Sequence, residues 1–234
     1  MADHLVTARI IFRPKQGEGE SLFTEELVEF EWVPGLAISQ GQKSVMNLHE
    51  AAISKHGIQK ILEISTRSQN ELGISLSAFN LQVSIAGRNY PVEAVYQSSK
   101  VFQSGGPFLD LMSANAFDSK KDLRLKNSGE LIGFRFENRD WPLTTSPNFY
   151  DYLYIRALME NVNRKKLLQF DAFSDIAFNQ NTLNPKVGKS FNCQARSAAI
   201  FVSLLGKMDE DIILSWLMSR SQEMRVQPDQ LNLF

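Results

Sequence analysis

Glu93 and Lys100 are the two residues of this chain whose types and spacing most directly suggest chemistry. They stand seven apart within YPVEAVYQSSK (90–100). On a helix turning 100° per residue they differ by only about 20° in azimuth, two turns apart along the axis. A carboxylate and an amine are then presented on one edge of a helix anchored by Val92, Val95 and Phe102, with Gln97 close to the same line. A carboxylate can relay protons, and an uncharged amine can attack an electrophilic carbon. The spacing is too long for a direct ion pair along a helix. Periodicity alone fits a solvated charged edge as well, which is what most charged helix positions are.

Other polar groups sit in apolar or turn settings. Asn80 follows Phe79 in LSAFN (76–80), Trp141 precedes Pro142, and Asp175 lies between Phe173 and Phe178 in FSDIAFN, with Asn179 closing that phrase. An acid flanked by aromatics is a cap or a site residue. A tryptophan is a core residue or a platform for a ligand ring. There is no GxGxxG, no Walker loop and no GxSxG. His4, His49 and His56 lack metal-ligand spacing, and Cys193 is the single cysteine. No metal and no cofactor are expected, and Cys193 reads as a small buried hydrophobe.

The elements that must position these residues follow from pattern. Alternation over 7–13 and 25–33 predicts two strands, with QGEGE (16–20) between them and Pro34-Gly35 as a turn. Residues 43–55 place Val45, Leu48, Ala52 and Ile53 near one helical face, and 60–66 reads as a short strand. Residues 72–86 read as loop and strand, and Ala86 to Asn89 as a turn. Tyr90-Pro91 opens the helix of Glu93, with proline tolerated in its first turn. Val92, Val95, Ser99 and Phe102 share a face of that helix, and Gly105-Gly106-Pro107 ends it. Two short helical patterns lie in 108–127, and 130–137 reads as a strand. A mostly buried helix runs from Asn148 to Asn161 behind Pro147. Ser190 is the expected N-cap of a small-residue helix carrying Ala195, Ala198 and Ala199. A last helix covers about 209–219, and the tail 224–234 is expected to fray. The fold class is α+β, predominantly α-helical, with a small N-terminal β element.

Composition narrows the function classes. The 234 residues are 43% hydrophobic and 22% charged, enough for a substantial core. Lys and Arg number 25 against 26 Asp and Glu, for a net charge of −1. A protein that grips nucleic acid mainly through its phosphates carries a basic excess. Here the backbone is not the expected main handle, although Arg164, Lys165 and Lys166 form a local patch. No signal-peptide layout and no membrane-length apolar run is visible. A cytoplasmic protein without membrane attachment is the expectation.

The phrases LSAFN, YPVEAVYQSSK, Trp141 and FSDIAFN, taken in order, resemble the NADAR superfamily, to which YbiA-like proteins belong. The similarity covers roughly residues 60–206. SKVFQSGGP (99–107), FYDYLYIRAL (149–158) and NPKVGKSFNCQA (184–195) resemble the branch encoded beside DarT-type DNA ADP-ribosyltransferase toxins. In that branch the N-terminal segment, including WVPGLAISQGQK (32–43), belongs to the protein. The resemblance implies one NADAR domain over 1–234: an N-terminal segment (1–59), a core (60–206), and a C-terminal helix and tail (207–234). It also implies a YbiA-like fold and N-glycosidase chemistry.

The substrate so implied is ADP-ribose on guanine of nucleic acid, with the ADP-ribose moiety as main ligand and a cognate DarT-type toxin as possible partner. The alternatives are a non-catalytic ADP-ribose-binding module, an antitoxin acting by contact, and a YbiA-like glycosidase of riboflavin-pathway intermediates. Carried over by position, Glu93 and Lys100 are catalytic, and Asn80, Gln97, Trp141, Asp175 and Asn179 are ligand-binding. Many relatives have His or Asn after the glutamate, where this chain has Ala94.

Overall fold

The computed structural model describes residues 5–17, 19, 21–143, 147–178 and 192–223. In chain order the elements are β1 (Leu5–Pro14), β2 (Phe23–Trp32), α1 (Ile38–His56), β3 (Ile61–Glu63), α2 (Glu71–Ser75), β4 (Gln82–Ile85) and β5 (Arg88–Pro91). Then come α3 (Val92–Ser98), β6 (Lys100–Phe102), α4 (Ala116–Lys121), α5 (Arg124–Asn127), β7 (Leu131–Phe136) and β8 (Arg139–Trp141). The last are α6 (Phe149–Glu160), β9 (Ala172–Ser174), α7 (Gln194–Leu205) and α8 (Glu210–Glu223). Short 3-10 turns cover Leu109–Ser113 and Arg164–Gln169. This is an α+β chain with more helix than strand.

The elements fall into two compact units, one of Met1–Ser77 with Val162–Lys207, the other of Ala78–Asn161 with Met208–Phe234. In the first, the sheet order is β2-β1-β9-β3. β1 and β2 pair antiparallel along their full length, from Leu5↔Trp32 to Pro14↔Phe23. The period-2 pattern of β2 turns Val28 and Phe30 inward and leaves Glu25, Glu29 and Glu31 outside. They join Ile11, Val45, Leu48, Ala52, Ala172 and Ile176 in one apolar cluster. α1 begins five residues before the expected 43 and ends at Gly57, whose left-handed φ of 63° allows its N–H to cap the Ile53 carbonyl. Ile53, expected on the buried face, is 47% exposed. The strand expected over 60–66 shortens to β3, which pairs parallel with β9.

In the second unit two hairpins turn on paired left-handed residues, Ala86-Gly87 between β4 and β5 and Glu137-Asn138 between β7 and β8. Such pairs match the twist of the strands they join. α6 is buried nearly all round and starts with a capping box: Asn148 accepts from the Asp151 N–H at 3.0 Å, and Asp151 accepts from the Asn148 N–H at 2.9 Å. Its Phe149 and Tyr150 pack against Tyr96 of α3, with Phe134 of β7 on the same ring.

Five expectations are corrected here. The helix of Glu93 does not reach Phe102; it stops at Ser98, and Lys100 opens a strand instead. Pro91 is the N-cap and the end of β5, not a first-turn residue. α7 is capped by Cys193, so its cap is not Ser190, which lies outside the described residues along with 179–191 and the tail 224–234. Residues 108–127 hold three short helical turns where two were expected, and 72–86 contains α2, N-capped by Asn70.

Candidate active site

α3 is seven residues long and every one of them is buried. Its first free N–H groups are taken by the preceding segment. Val92 N–H donates to Leu81 O at 3.0 Å and Glu93 N–H to Ala78 O at 2.9 Å. The carbonyls around Phe79 and Asn80 thus satisfy donors that a helix start leaves open, and they fix where Glu93 begins. At the other end the hydroxyls of Ser98 and Ser99 both turn back to the Val95 carbonyl, at 2.9 and 2.8 Å. That competition with the helical ladder suits a helix end. The chain then enters β6, where Lys100 pairs with Phe134 and Arg135 N–H holds Ser99 O at 2.7 Å.

Glu93 is 2% exposed. Its Oε1 accepts a hydrogen bond from Gln97 Nε2 at 2.9 Å, one turn along α3, and faces Lys120 Nζ at 3.4 Å. Lys120 comes from α4, whose N-cap Asn115 accepts from the N–H groups of Phe117 and Asp118. Among the described residues Lys100 makes no ion pair within 4.0 Å; its amine lies over the Tyr96 ring, 5.1 Å from the centroid. Burial pushes the Lys100 amine down to about 8, with Glu93 opposing the shift and Lys120 adding to it. Burial therefore outweighs the attraction of the carboxylate, so a usable fraction of Lys100 is uncharged near neutral pH.

Among the described residues three polar atoms in this unit are buried without a partner, Arg139 Nη1 included, and the other two bear on binding. Gln97 Oε1 is one and Trp141 Nε1 the other. Buried polar atoms are normally bonded, so each is a point where a ligand group would be favoured. Trp141 is 3% exposed and packs on Phe149 and Tyr152, with ring centroids 5.4 and 4.7 Å away. It offers an N–H more readily than an open ring face. Asn80 is exposed, and its backbone carbonyl accepts from Gln82 Nε2 at 3.0 Å.

Asp175 belongs to the other unit, just after β9. Its Oδ1 accepts from Ala177 N–H at 3.2 Å, a local turn bond, and its Oδ2 from Gln194 Nε2 at 3.1 Å. Beside it lies a carboxyl the sequence reading missed. Glu63 is 2% exposed and bonds both residues that flank Asp175. Ser174 Oγ–H donates to Glu63 Oε2 at 2.5 Å, and Ile176 N–H to Oε1 at 2.9 Å. His49 Nε2 meets Ser174 Oγ at 2.8 Å. Burial and the nearby Asp175 push the Glu63 carboxyl up to about 7, against the pull of its hydrogen bonds. Burial pushes the His49 imidazole down to about 4. Asn179 lies outside the described residues. A cavity of about 570 Å³ in this unit, lined by Arg13, Ile58, Phe170 and Asp171 among others, holds none of the expected site residues.

A family model described as DarT1-associated NADAR antitoxin matches residues 7–223. The chain belongs to that family. The match takes in the N-terminal β1–β2 hairpin, so that segment is part of the NADAR antitoxin pattern. A comparison with curated proteins found no match. Among the described residues no helix of this NADAR protein is long and apolar enough to cross a membrane.

The structure brings Glu93, Gln97 and Lys100 of this family member into one neighbourhood, and adds Lys120. Lys120 gave no sequence signal, because 27 residues separate it from Glu93 and it reads as part of a solvated helix edge. Glu63 stood in KILEIST, where a strand reading leaves either face open.

Proposed function

We propose that the protein is an ADP-ribosyl hydrolase, an N-glycosidase that frees guanine bases of nucleic acid from ADP-ribose and so counteracts a DarT-type toxin. A YbiA-like arrangement of the fold is part of this reading. The observation that carries it is the buried Glu93 carboxyl placed with a lysine whose amine burial has made easier to deprotonate.

The ribose linked to the guanine exocyclic amine opens to an imine at its anomeric carbon. The lone pair of Lys100 Nζ attacks that carbon, and the bond to the base amine breaks as Glu93 takes the protons of the added lysine nitrogen and passes them to the leaving nitrogen. The resulting Schiff base is hydrolysed by water, which becomes the carbonyl oxygen of ADP-ribose and returns the lysine. Gln97 Oε1 is an acceptor for a ribose hydroxyl, and Trp141 Nε1 is a donor to a ligand oxygen. Asp175 and Asn179 are assigned to ligand contacts by family position. No metal or cofactor enters this scheme.

The test is incubation with guanine-ADP-ribosylated single-stranded DNA. Release of ADP-ribose and recovery of the unmodified oligonucleotide support the reading; an unchanged substrate overturns it. Borohydride added during turnover should link substrate to Lys100. Full turnover with no adduct assigns the attack to water activated by Glu93 instead. Toxin neutralisation by a Glu93→Gln variant would place the antitoxin effect in contact with the toxin, not in catalysis.

A further inference from the structure

We infer that Lys120 is a positioning residue of the Glu93–Lys100 site: it takes the ion pair with Glu93, so that Lys100 does not. This inference rests on the reading of Lys100 as the attacking amine, and it answers a difficulty inherent in that reading. An acid beside a lysine favours the charged ammonium, which cannot attack.

The geometry divides the work between two lysines. Lys120 Nζ stands 3.4 Å from Glu93 Oε1, while Lys100 Nζ forms no ion pair among the described residues and rests over Tyr96. The Lys120 amine is also held over the Phe79 ring, 5.1 Å from its centroid. A carboxylate and an aromatic face together fix a point charge that would otherwise be free to move in solvent. The helix beneath is secured in the turns that lead up to that lysine. Asn115 caps its start, and the buried Ser119 hydroxyl donates to Leu111 O at 2.8 Å.

The other charged groups nearby are engaged elsewhere. Asp118 pairs with the Asn115 amide, Lys121 lies over Phe117, and Asp110 and Asp122 hold Arg124. Arg135 of β7 holds Asp140, and Asp151 of α6 caps its own helix. Among the described residues Lys100 therefore titrates against one acid, Glu93, and one cation, Lys120. Removing Lys120 acts twice in the same direction. It ends the repulsion that favours the uncharged amine, and it leaves Glu93 without its partner and open to Lys100.

The experiment compares wild type, Lys120→Met, Lys120→Gln and Lys120→Arg, with Lys100 followed by the 13Cε shift of labelled lysine across pH. In Lys120→Met and Lys120→Gln the Lys100 midpoint should rise by about one unit or more. The pH profile of ADP-ribose release should move up with it, costing about tenfold in rate at neutral pH and recovering in alkali. Lys120→Arg should restore most of both. A Lys100 midpoint that stays put in the Met and Gln variants overturns the inference, whatever the rates do. A midpoint that moves in a protein that never releases ADP-ribose supports the pairing and instead overturns the hydrolase reading. A rate loss without change in the pH profile marks a merely structural lysine and also overturns the inference.

Discussion

Two glutamates, each 2% exposed, are buried in opposite ways. Glu93 is met by a cation, Lys120, and an amide, Gln97, with a second lysine close enough to feel its charge. Glu63 is met by a hydroxyl, a backbone N–H and another acid, Asp175. A carboxyl placed between a cation and an amide is within reach of groups with which it can exchange protons. One beside a second acid in a closed site is driven toward its neutral form. The first arrangement suits chemistry and the second suits holding a loop. Glu63 bonds Ser174 and Ile176, the two residues on either side of Asp175, so it sets the path of the chain on which Asp175 sits.

The contrast can be broken by exchanging roles. The largest expected effect is on rate. Glu93→Gln should lower ADP-ribose release by about 10²-fold or more, the usual range for a lost general acid or base. Its urea midpoint should change little. Equal turnover in steady-state assays would remove Glu93 from the reaction.

Glu63→Ala should show the reverse. Roughly 1–3 kcal/mol of stability is expected to go for each buried donor left without an acceptor. Urea unfolding should report that loss.

A smaller effect separates the two by pH. The folded-state Glu63 carboxyl is raised from 4.5 to about 7. Its contribution to stability is therefore complete below its unfolded value and is lost as pH rises through about 7. His49 is lowered from 6.5 to about 4, so its contribution is complete above 6.5 and is lost as pH falls through about 4. Glu63→Gln should abolish the first slope and leave the second. Chemical denaturation between about pH 5 and about pH 8 checks this, and an unaltered slope assigns it to another group.

The smallest effect is that of salt. Lys120 is 51% exposed, so its coupling to Glu93 is reachable by ions. From about 0.1 M to about 1 M salt the screening length falls from about 10 to about 3 Å. A double-mutant cycle on Lys120 and Glu93 should give a coupling of at most about 1 kcal/mol that shrinks with salt. The pH slope belonging to Glu63 should not respond.

Much of the fold could be read from local pattern. The alternation of EELVEFEWV and the apolar, aromatic run behind Pro147 are short-range signals, and β2 and α6 follow them closely. The helix carrying Glu93 was overextended for an equally local reason. Val92, Val95, Ser99 and Phe102 fit a helical face, but Lys100 to Phe102 fit an edge of a sheet too, and pairing with β7 decided between them. Glu93 and Lys100 thus share a neighbourhood at a spacing of seven although no single helix spans both. Lys120, Glu63 and His49 had no comparable signal. Their meaning lies in which side chains face them across 27 to 125 residues of sequence.

Placing Lys100 on β6 changes what sets its position. A residue on a helix answers to the pitch of that helix, whereas this one answers to a ladder of strands reaching through β7 to Trp141. Gly133 of that ladder has no room for a side chain, because an added Cβ would lie 2.9 Å from the Trp141 carbonyl. The Lys100 amine is in effect aimed from a distance: a change of one methyl group at residue 133, pressed against the Trp141 backbone, would retune it through the strands.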